Sequence, residues 1–511
     1  MQTDFLVIGS GIAGLSFALK AAKHGKVTVL TKKETVNSNT NYAQGGVAAV
    51  LSRLDNYKLH KQDTIKAGDG LCDVKVVDYF VKHAPKQVRE LINFGVHFER
   101  DRKHHLKFTR EACHSTNRIV YAGDHTGLEI EKSLIKKARA NKNINLVDNA
   151  LVTDLVIHKN SCIGAKVLDE IENKSSAIFS KVVLLCAGGL GNVFLQNTNP
   201  GISTGDGYAI AHLAGAKVQD MEFVQFHPTK FDMKTPEPFL ISETLRGEGG
   251  ILRNNKNKAF MINYTDMKEL APRDVVARAI YSEMKSTGKG VKLDMTHLNK
   301  KYLKKRFPTI YKKCSEYKID LTKKQIPVTP AAHYMCGGVK TDINARTSVR
   351  NLYAFGEVAC TGLHGANRLA SNSLIEAVVF ADAAVKDIVK RKLLKKILVK
   401  KEIKLNKIAK NNIKQIENKI LKIQSIMWQK VGIVRNDKDL KTALTKIRNV
   451  KKEIQQILKK GISYRLIEAR NIAICAELIT MSAIKRKESR GTHYNTNHLK
   501  KTSKWKKHII L

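Results

Sequence analysis

Apolar and polar positions come in blocks at the start of the chain, and each block has the length of one secondary-structure element. The mostly apolar run Phe5–Ile8 ends in the pattern Gly9-x-Gly11-x-x-Gly14. The helix-like run Leu15–Lys23 follows at once, and a second apolar run, Lys26–Leu30, comes after a short turn. Strand, glycine turn, helix and strand in immediate succession predict a βαβ unit.

The same α/β pattern returns later in the chain. Leu146–Leu155 and Ser180–Ala187 are predicted strands. The second is apolar on both faces and leads into a glycine-rich turn, as an internal strand that approaches a ligand would. A strand within Asn351–Glu357 and a helix of small residues over Ser373–Val385 continue the pattern.

The pattern changes in two places. Residues 221–335 consist of short segments with several prolines, which indicates an inserted domain. From Leu393 the chain is rich in lysine, isoleucine and leucine, and apolar residues between Ile413 and Met427 recur at the spacing of an amphipathic helix. The predicted fold class is therefore α/β, with a Rossmann-like cofactor-binding domain (1–220 and 336–392), an inserted α+β capping domain (221–335) and a C-terminal helical bundle (393–511).

The glycine pattern predicts a dinucleotide site. In such units the first glycine permits a tight turn, the second lets a pyrophosphate approach the backbone, and the third allows close packing of strand and helix. The free N–H groups of the helix start then face the phosphates. NAD-binding units usually carry an acidic residue at the end of the next strand, where this chain has Thr31-Lys32. This difference favours FAD over NAD.

Composition narrows the class of protein. The chain has 511 residues, 43% of them hydrophobic and 27% charged, as in globular proteins of two or three domains. No uncharged apolar run is long enough for a transmembrane helix, and the eight cysteines form no C-x-x-C pair, which favours reduced thiols in a cytoplasm over a zinc or iron–sulfur site. The net charge of +44 comes mainly from dispersed lysine without a nucleic-acid-binding motif, so we expect neither a nucleic-acid nor a membrane partner.

Candidate chemistry is concentrated in the inserted segment and at its two ends. Arginine binds a carboxylate in a bidentate way and imidazole adds a donor, so two arginines and two histidines near glycine and proline turns suit a small dicarboxylate held against a flavin. The short motifs that carry them are Gln225-Phe-His227-Pro-Thr, Ser242-Glu243-Thr-Leu-Arg246-Gly, Ala271-Pro-Arg273-Asp, Ala331-Ala-His333-Tyr and Gly365-Ala-Asn-Arg368.

With these motifs in their order along the chain, the sequence resembles the flavoprotein family of succinate dehydrogenase, fumarate reductase and L-aspartate oxidase, and most closely its oxidase branch. The resemblance covers nearly the whole chain. Its further markers are Tyr42-Ala-Gln-Gly-Gly-Val-Ala, Thr204-Gly-Asp-Gly207, Leu270-Ala-Pro-Arg-Asp-Val-Val-Ala-Arg-Ala279, Pro330-Ala-Ala-His-Tyr-Met-Cys-Gly-Gly338, the run Gly356–Glu376, and Glu488-Ser-Arg-Gly491.

The resemblance implies FAD-dependent oxidation of L-aspartate to iminoaspartate, with oxygen or fumarate as electron acceptor, at the first step of de novo NAD biosynthesis. The unstable imine implies passage to quinolinate synthase. Asn39 stands where the dehydrogenases carry the histidine that bonds to FAD, which implies noncovalent FAD. A soluble fumarate reductase or succinate dehydrogenase flavoprotein is the alternative, and a relative that kept the fold but lost activity is a further one.

The resemblance also implies roles for individual residues. Arg273 is the expected proton acceptor or donor, with Glu243 and Arg246 as its relay. In the oxidases a loop glutamate, here Glu111, faces the substrate amino group, and a carboxylate there pairs with an ammonium but repels a second carboxylate. The expected ligands of the substrate carboxylates are His227, Ser242, His333 and Arg368. The expected FAD contacts are Ser10, Gly11, Ile12, Ala13, Gly14, Lys32, Asn39, Thr40, Asn41, Tyr42, Ala43, Gln44, Gly45, Gly46, Asp206, Glu357, Ser373 and Leu374.

Two departures from the family pattern are visible. The oxidases usually have Gly-Gly after the loop glutamate, whereas this chain has Ala112-Cys113. Near the C-terminus, Asn497-His-Leu499 replaces an acidic-aromatic-proline ending. The first departure affects the expected position of Glu111, and the second affects how the helical bundle docks.

Overall fold

The structure, a computed structural model, describes residues 2–395, 405, 407–409 and 412–511. The strands in chain order are β1 Gln2–Ile8, β2 Val27–Leu30, β3 Val47–Ala48, β4 Ile119–Val120, β5 Ile144–Val147, β6 Ala150–His158, β7 Ser161–Asp169, β8 Lys174–Leu185, β9 Val218–Gln219, β10 Val224–Phe231, β11 Ile251–Arg253, β12 Val291–Asp294, β13 Ile326–Met335, β14 Gly338–Lys340, β15 Leu352–Ala354 and β16 Ala359–Cys360. The α-helices are α1 Ile12–Ala21, α2 Tyr57–Ala67, α3 Val74–Asn93, α4 Thr126–Arg139, α5 Asp206–Leu213, α6 Glu243–Gly247, α7 Arg273–Thr287, α8 Lys300–Arg306, α9 Pro308–Glu316, α10 Asn372–Lys390, α11 Ile413–Lys430, α12 Asp437–Leu458 and α13 Tyr464–Lys485. Short 3-10 turns lie at Gly191–Val193, Met261–Asn263, Lys268–Leu270, Leu393–Lys395 and Ser503–Trp505.

A parallel sheet forms the centre of the first domain. Strands β5, β2, β1 and β8 lie side by side and parallel, and β15 also pairs with β8. The first half of β8 continues into an antiparallel layer with β7 and β6. Alternate residues of β1 and β8 enter two separate apolar cores, one shared with α1, α3, α4 and α10 and the other with α5 and α11–α13. Both faces of the sheet are therefore covered, as the apolar runs predict.

One strand prediction was wrong in its extent. Leu146–Leu155 is not a single strand, because β5 ends at Val147 and β6 begins at Ala150. Asn149, between them, has a φ of 56°. This left-handed residue turns the chain, so that β5 pairs with β2 while β6 pairs with β7.

The inserted segment forms a sheet of its own. Strands β10, β13, β12 and β11 are antiparallel, and a third apolar core joins them to α7, α8 and α9. The chain leaves and re-enters the first domain beside the small sheet of β9, β14 and β16. These elements lie within or just outside residues 221–335, and the domain boundaries themselves remain a prediction.

The C-terminal region is helical. Along α11, Ile416, Ile420, Ile423 and Met427 are buried as the spacing predicts, whereas Ile413 is 67% exposed at the helix start. The predicted beginning of this domain falls partly on residues 396–404, 406, 410 and 411, which lie outside the described residues. Among the described residues, no helix combines the length and apolar character that a membrane crossing requires.

Replacing Gly14 by alanine is expected to destabilise the protein. A Cβ at Gly14 would lie 1.9 Å from the carbonyl oxygen of Gly9, so β1 and α1 would have to separate. We expect a loss of at least roughly 1–3 kcal/mol in the free energy of unfolding, measured by denaturant titration. Gly201→Ala is the matched control, because a Cβ there meets no atom of the described residues within 4 Å. Equal stability of the two variants would contradict this account of the glycine.

Candidate active site

A long cavity of about 1750 Å³, including its open mouth, begins where β1, β8 and β15 end. We call it the cofactor cavity. Its wall includes 16 of the 18 predicted cofactor residues, and among the described residues only Gly14 and Asn41 of that set are absent from it. Gly14 acts through strand–helix packing instead, as its close approach to Gly9 indicates. The cavity also reaches Glu111, His227, Ser242, Glu243, Arg273, His333 and Arg368.

Two helix N-termini face this cavity. Gly11 precedes α1, whose first N–H, that of Ile12, donates to Thr40 Oγ1 at 3.0 Å, and Ser371 precedes α10 without accepting a hydrogen bond from that helix. Unpaired backbone N–H groups and the helix dipole favour negative charge at both places. Gln44 Oε1, on the same wall, is buried without a hydrogen-bond partner among the described residues. Backbone donors at the helix starts suit the diphosphate of FAD, and the free acceptor of Gln44 suits a polar edge of its flavin ring.

Lys32 lies on the cavity wall, but its ammonium group is already paired. Its Nζ lies 2.8 Å from Asp206 and 2.5 Å from Glu468 on α13. Burial opposes the charged form of Lys32, yet these two carboxylates raise its pKa above the usual value. In the predicted contact with the ribose or pyrophosphate, the ammonium of Lys32 would therefore also remain paired with Glu468 of the C-terminal helices.

Asn39 is held between two neighbours at the middle of the cavity. Its Nδ2 donates to Glu357 Oε2 at 3.3 Å, and its Oδ1 accepts from Ser203 Oγ at 2.6 Å. Burial raises the pKa of Glu357 to about 7. An amide offers no nucleophile for a bond to a flavin, which agrees with the noncovalent FAD that the resemblance implies.

Gln225 joins two arginines at the far end of the cavity. Its Oε1 accepts from Arg273 Nη1 at 3.0 Å and from Arg368 Nη2 at 3.1 Å. Its Nε2 donates to Asn367 Oδ1 and to the backbone oxygen of Arg368, which fixes the amide orientation. The predicted pair of arginines is therefore brought together on one wall.

The two predicted histidines lie beside each other. The rings of His227 and His333 have centroids 5.0 Å apart in an edge-to-face arrangement. Burial and the charge of Arg273 hold both pKa values well below the usual range, so both rings are neutral at physiological pH. His227 Nδ1 accepts from the Thr229 N–H, and its buried Nε2 has no partner in the described part of the chain. Nε2 therefore carries the proton and is a donor free for a ligand.

Glu243 is the centre of the predicted relay. Its Oε2 accepts from Arg273 Nε at 2.5 Å and lies 3.7 Å from Arg246 Nη2. Although burial opposes ionisation, these two arginines lower the pKa of Glu243. Arg246 is buried behind Glu243, outside the cavity wall, and donates to the backbone oxygen of Glu269. The three side chains thus form a chain that leads away from the cavity.

Glu111 also lies on the wall of the cofactor cavity. Its Oε2 accepts from Ser371 Oγ at 2.7 Å, and burial together with the charge of Glu243 raises its pKa. It also lines a neighbouring cavity, on whose wall lies Cys113 with a φ of 68°. The cysteine therefore takes the left-handed conformation that a glycine accepts readily, and the loop still brings Glu111 to the site. Ser242, also on the cavity wall, caps α6 by accepting from the Thr244 N–H at 3.3 Å.

Several residues of the site were absent from the predicted set. Tyr334, Thr198, Leu240 and Ser371 line the cavity, and Gln225 contacts the wall residues Arg273 and Arg368. Gln225 could have been found, because it lies two residues before His227 on β10 and alternate residues of a strand share a face. Thr198 donates to His333 Nδ1 or accepts from it at 2.7 Å, across a separation of 135 residues along the chain. No local pattern in the sequence indicates that contact.

Glu131, on α4 beside Ser38 and Asn41, provides a test of a buried carboxyl near the cofactor loop. Burial raises its pKa to about 8 from the ordinary 4.5. Between these values the folded protein keeps a proton that the unfolded chain has lost, so Glu131 costs stability increasingly as the pH rises.

Glu131→Gln is therefore expected to raise the stability by roughly 1–3 kcal/mol at about pH 8.5 and to change little at about pH 4. Thermal unfolding at the two pH values measures this difference. Glu129→Gln, on the same helix but half-buried, is the control and should show no such pH dependence.

Comparison with known proteins identifies the family. The family model for the FAD binding domain matches residues 4–374, and that for the fumarate reductase flavoprotein C-terminal domain matches residues 420–511. An L-aspartate oxidase of Pseudomonas aeruginosa is 41% identical over 518 residues, which cover 97% of this chain and 96% of that protein. A chloroplastic L-aspartate oxidase of Oryza sativa is 43% identical over 521 residues, covering 96% and 81% of the two chains.

Solved structures agree with these relatives. An E. coli quinol fumarate reductase matches with a TM-score of 0.91 and 30% identity, covering 100% of this chain and 94% of that one. Mycobacterium smegmatis Sdh1 matches with a TM-score of 0.85 and 28% identity, covering 100% and 91%. The predicted fold class, the FAD cofactor and the oxidoreductase activity are confirmed. The chain belongs to the L-aspartate oxidase family, a branch of the FAD-dependent flavoproteins that includes fumarate reductase.

Proposed function

We propose that this protein oxidises L-aspartate to iminoaspartate with noncovalent FAD. One observation carries the proposal: Arg273 and Arg368 line one cavity together with Glu111, and the two arginines are held side by side by Gln225 Oε1, which accepts from both. Besides Glu243, which is paired with Arg273, the charged groups assigned to the substrate are the two arginines and Glu111. The arginines match the two carboxylates of L-aspartate, and Glu111 matches its ammonium.

Substrate binding follows from the charges of the site. Arg368, the N–H of His227, His333 and Ser242 hold the two carboxylates, and Glu111 pairs with the ammonium. Neutral imidazoles suit this task, because they donate hydrogen bonds to the carboxylates without adding positive charge to the site. Holding all three charged groups of the substrate fixes the direction of its Cα–H bond, which hydride transfer requires.

Bound FAD supplies a two-electron acceptor for the hydride from Cα. As the hydride leaves, the carbon–nitrogen single bond becomes a double bond and the ammonium loses a proton. We assign Arg273 to this proton: once Arg273 has passed a proton of its own to Glu243, its side chain is neutral and accepts the proton of the ammonium at Nη2, the one nitrogen of the group without a partner among the described residues. Glu243 is ionised through its two arginine neighbours, so it can accept the proton that Arg273 passes.

The proposal includes the electron acceptor, the fate of the imine and the cellular compartment. Oxygen or fumarate removes the electrons, and the imine passes to quinolinate synthase in de novo NAD biosynthesis. All eight cysteines are free thiols, which supports a reducing compartment, and we propose the cytoplasm. We assign the lysine excess to solvated surface and propose no nucleic-acid or membrane partner.

Anaerobic titration tests the reaction. The purified holoprotein is mixed separately with L-aspartate, D-aspartate and succinate while the flavin absorbance is followed. Bleaching by L-aspartate alone is expected, since Glu111 repels a substrate without an ammonium and the site fixes one configuration at Cα. Bleaching by succinate alone would replace the proposal by the fumarate reductase alternative, and a colourless protein that takes up no FAD would contradict both.

A further inference from the structure

A buried cluster of hydrogen-bonding side chains lies directly behind Arg368. It consists of Tyr334 at the end of β13, His364 and Thr361 in the loop before α10, and Glu376 on α10. His364 and Glu376 are 4% and 1% exposed. The cluster therefore joins the last strand of the inserted segment to the first domain.

The carboxylate of Glu376 organises this cluster. Its Oε1 accepts from Thr361 Oγ1 at 2.7 Å, and its Oε2 lies 2.8 Å from His364 Nε2 and 3.3 Å from the hydroxyl of Tyr334. His364 Nε2 donates to this carboxylate oxygen. The hydroxyl also lies 3.2 Å from His364 Nε2, but because that nitrogen carries the proton, the hydroxyl donates to Glu376. The hydroxyl of Tyr334 is thereby held in one place at the far end of its ring.

The face of that ring holds the arginine. The guanidinium carbon of Arg368 lies 4.0 Å from the centroid of the Tyr334 ring. Burial holds the pKa of the Tyr334 hydroxyl well above its usual value, so the phenol stays protonated and donates to Glu376. Donation to a carboxylate makes the ring richer in electrons, which strengthens its attraction for a cation on its face.

We propose that Tyr334 is a positioning residue for Arg368, and that Glu376 holds the ring of Tyr334 in place for that task. The inference rests on the proposed function, in which Arg368 binds a substrate carboxylate. The in-plane contacts of the guanidinium go to Gln225 and Ser373. Those contacts restrain the edge of the guanidinium, and the ring of Tyr334 supports one of its faces.

Removing the ring tests the inference. Tyr334→Leu is expected to raise the KM for L-aspartate about 10-fold or more, because a desolvated cation–π contact is lost. Tyr334→Phe keeps the ring and loses the tether, so we expect a rise of about 2- to 5-fold, and a similar rise for Glu376→Gln. The kcat is expected to change less than the KM in all three variants, and the dissociation constant of succinate should rise in parallel with the KM.

Tyr353→Phe is the matched control. Tyr353 is also buried and also donates to a carboxylate, Asp387, but on β15 away from the substrate groups. Its KM should stay at the wild-type value even if its thermal stability falls as much as that of the Tyr334 variants. Flavin absorbance measures the FAD content of every variant, so that a loss of cofactor is not mistaken for weaker substrate binding.

Two outcomes overturn the inference. One is a KM for Tyr334→Leu no higher than that for Tyr353→Phe, and the other is a rise in KM that follows thermal stability across all variants. Arg368→Gln separates this from a failure of the proposed function. If Arg368→Gln itself leaves the KM unchanged, the assigned role of Arg368 is wrong. If it raises the KM while Tyr334→Leu does not, only the role of Tyr334 is wrong.

Discussion

Arg273→Gln is expected to lower the kcat for L-aspartate by roughly 10²- to 10⁴-fold, the range that general acid–base groups contribute. Glutamine can still approach Gln225, but it cannot form the charged pair with Glu243 or hold a proton at the position of Nη2. The dissociation constant of FAD should stay within about threefold, because the predicted cofactor contacts lie elsewhere on the wall. Stopped-flow reduction of the bound flavin measures the rate directly.

The comparison needs two further variants. Arg278→Gln removes another arginine of α7, which pairs with Asp274 at 2.9 Å outside the cofactor cavity, and should keep the wild-type rate. Arg273→Lys restores the charge without the planar group and should recover only part of the rate. Flavin reduction by Arg273→Gln at the wild-type rate would show that the proton leaves by another path.

Glu111→Gln is expected to weaken the preference of the site for L-aspartate over succinate. Without the carboxylate, the substrate ammonium loses its charged partner in a buried place, and kcat/KM for L-aspartate should fall by about 10²-fold. Binding of succinate should improve at the same time, since Glu111 no longer repels its two carboxylates. Steady-state kinetics with L-aspartate and competition by succinate give the two numbers.

The pH dependence adds a second measure of Glu111. Its pKa is raised, so acidification protonates it in a range where an ordinary glutamate is still ionised. The wild-type kcat/KM should therefore fall as the pH drops through that raised pKa, whereas Glu111→Gln should lack this limb. Glu99→Gln, at an exposed position near the same loop, should behave as the wild type. Identical profiles for Glu111→Gln and the wild type would remove Glu111 from the site.

Much of the cofactor half was predictable because its signals are local. A glycine pattern, two apolar runs and a helix between them lie within the first 30 residues, and their geometry follows from neighbouring positions. The left-handed Gly9 and the close contact of Gly14 with Gly9 are consequences of that local sequence. Asn149 shows the limit of local signals. Its positive φ divides a predicted strand into β5 and β6, although the apolar residues on both sides follow the pattern of one strand.

The substrate half depends on long-range contacts. The motifs predicted Arg273, Arg368 and the two histidines as site residues. The contact of the shared acceptor Gln225 with Arg368, however, spans 143 residues of the chain. Lys32 was expected to meet the cofactor, and only the folded chain shows that Glu468, on the C-terminal helix α13, shares its charge. Such pairings have no periodic signal, since they are set by how separate elements pack.

The sequence by itself determined the cofactor class, the family and the identity of the groups that could bind a dicarboxylate, because short motifs indicate each of these. Only the tertiary structure decided which of those groups share one space, which histidine nitrogen is free, and what supports Arg368 from behind. The physical reason is that hydrogen-bond direction, burial and charge act over a few ångströms in space, whatever the separation along the chain.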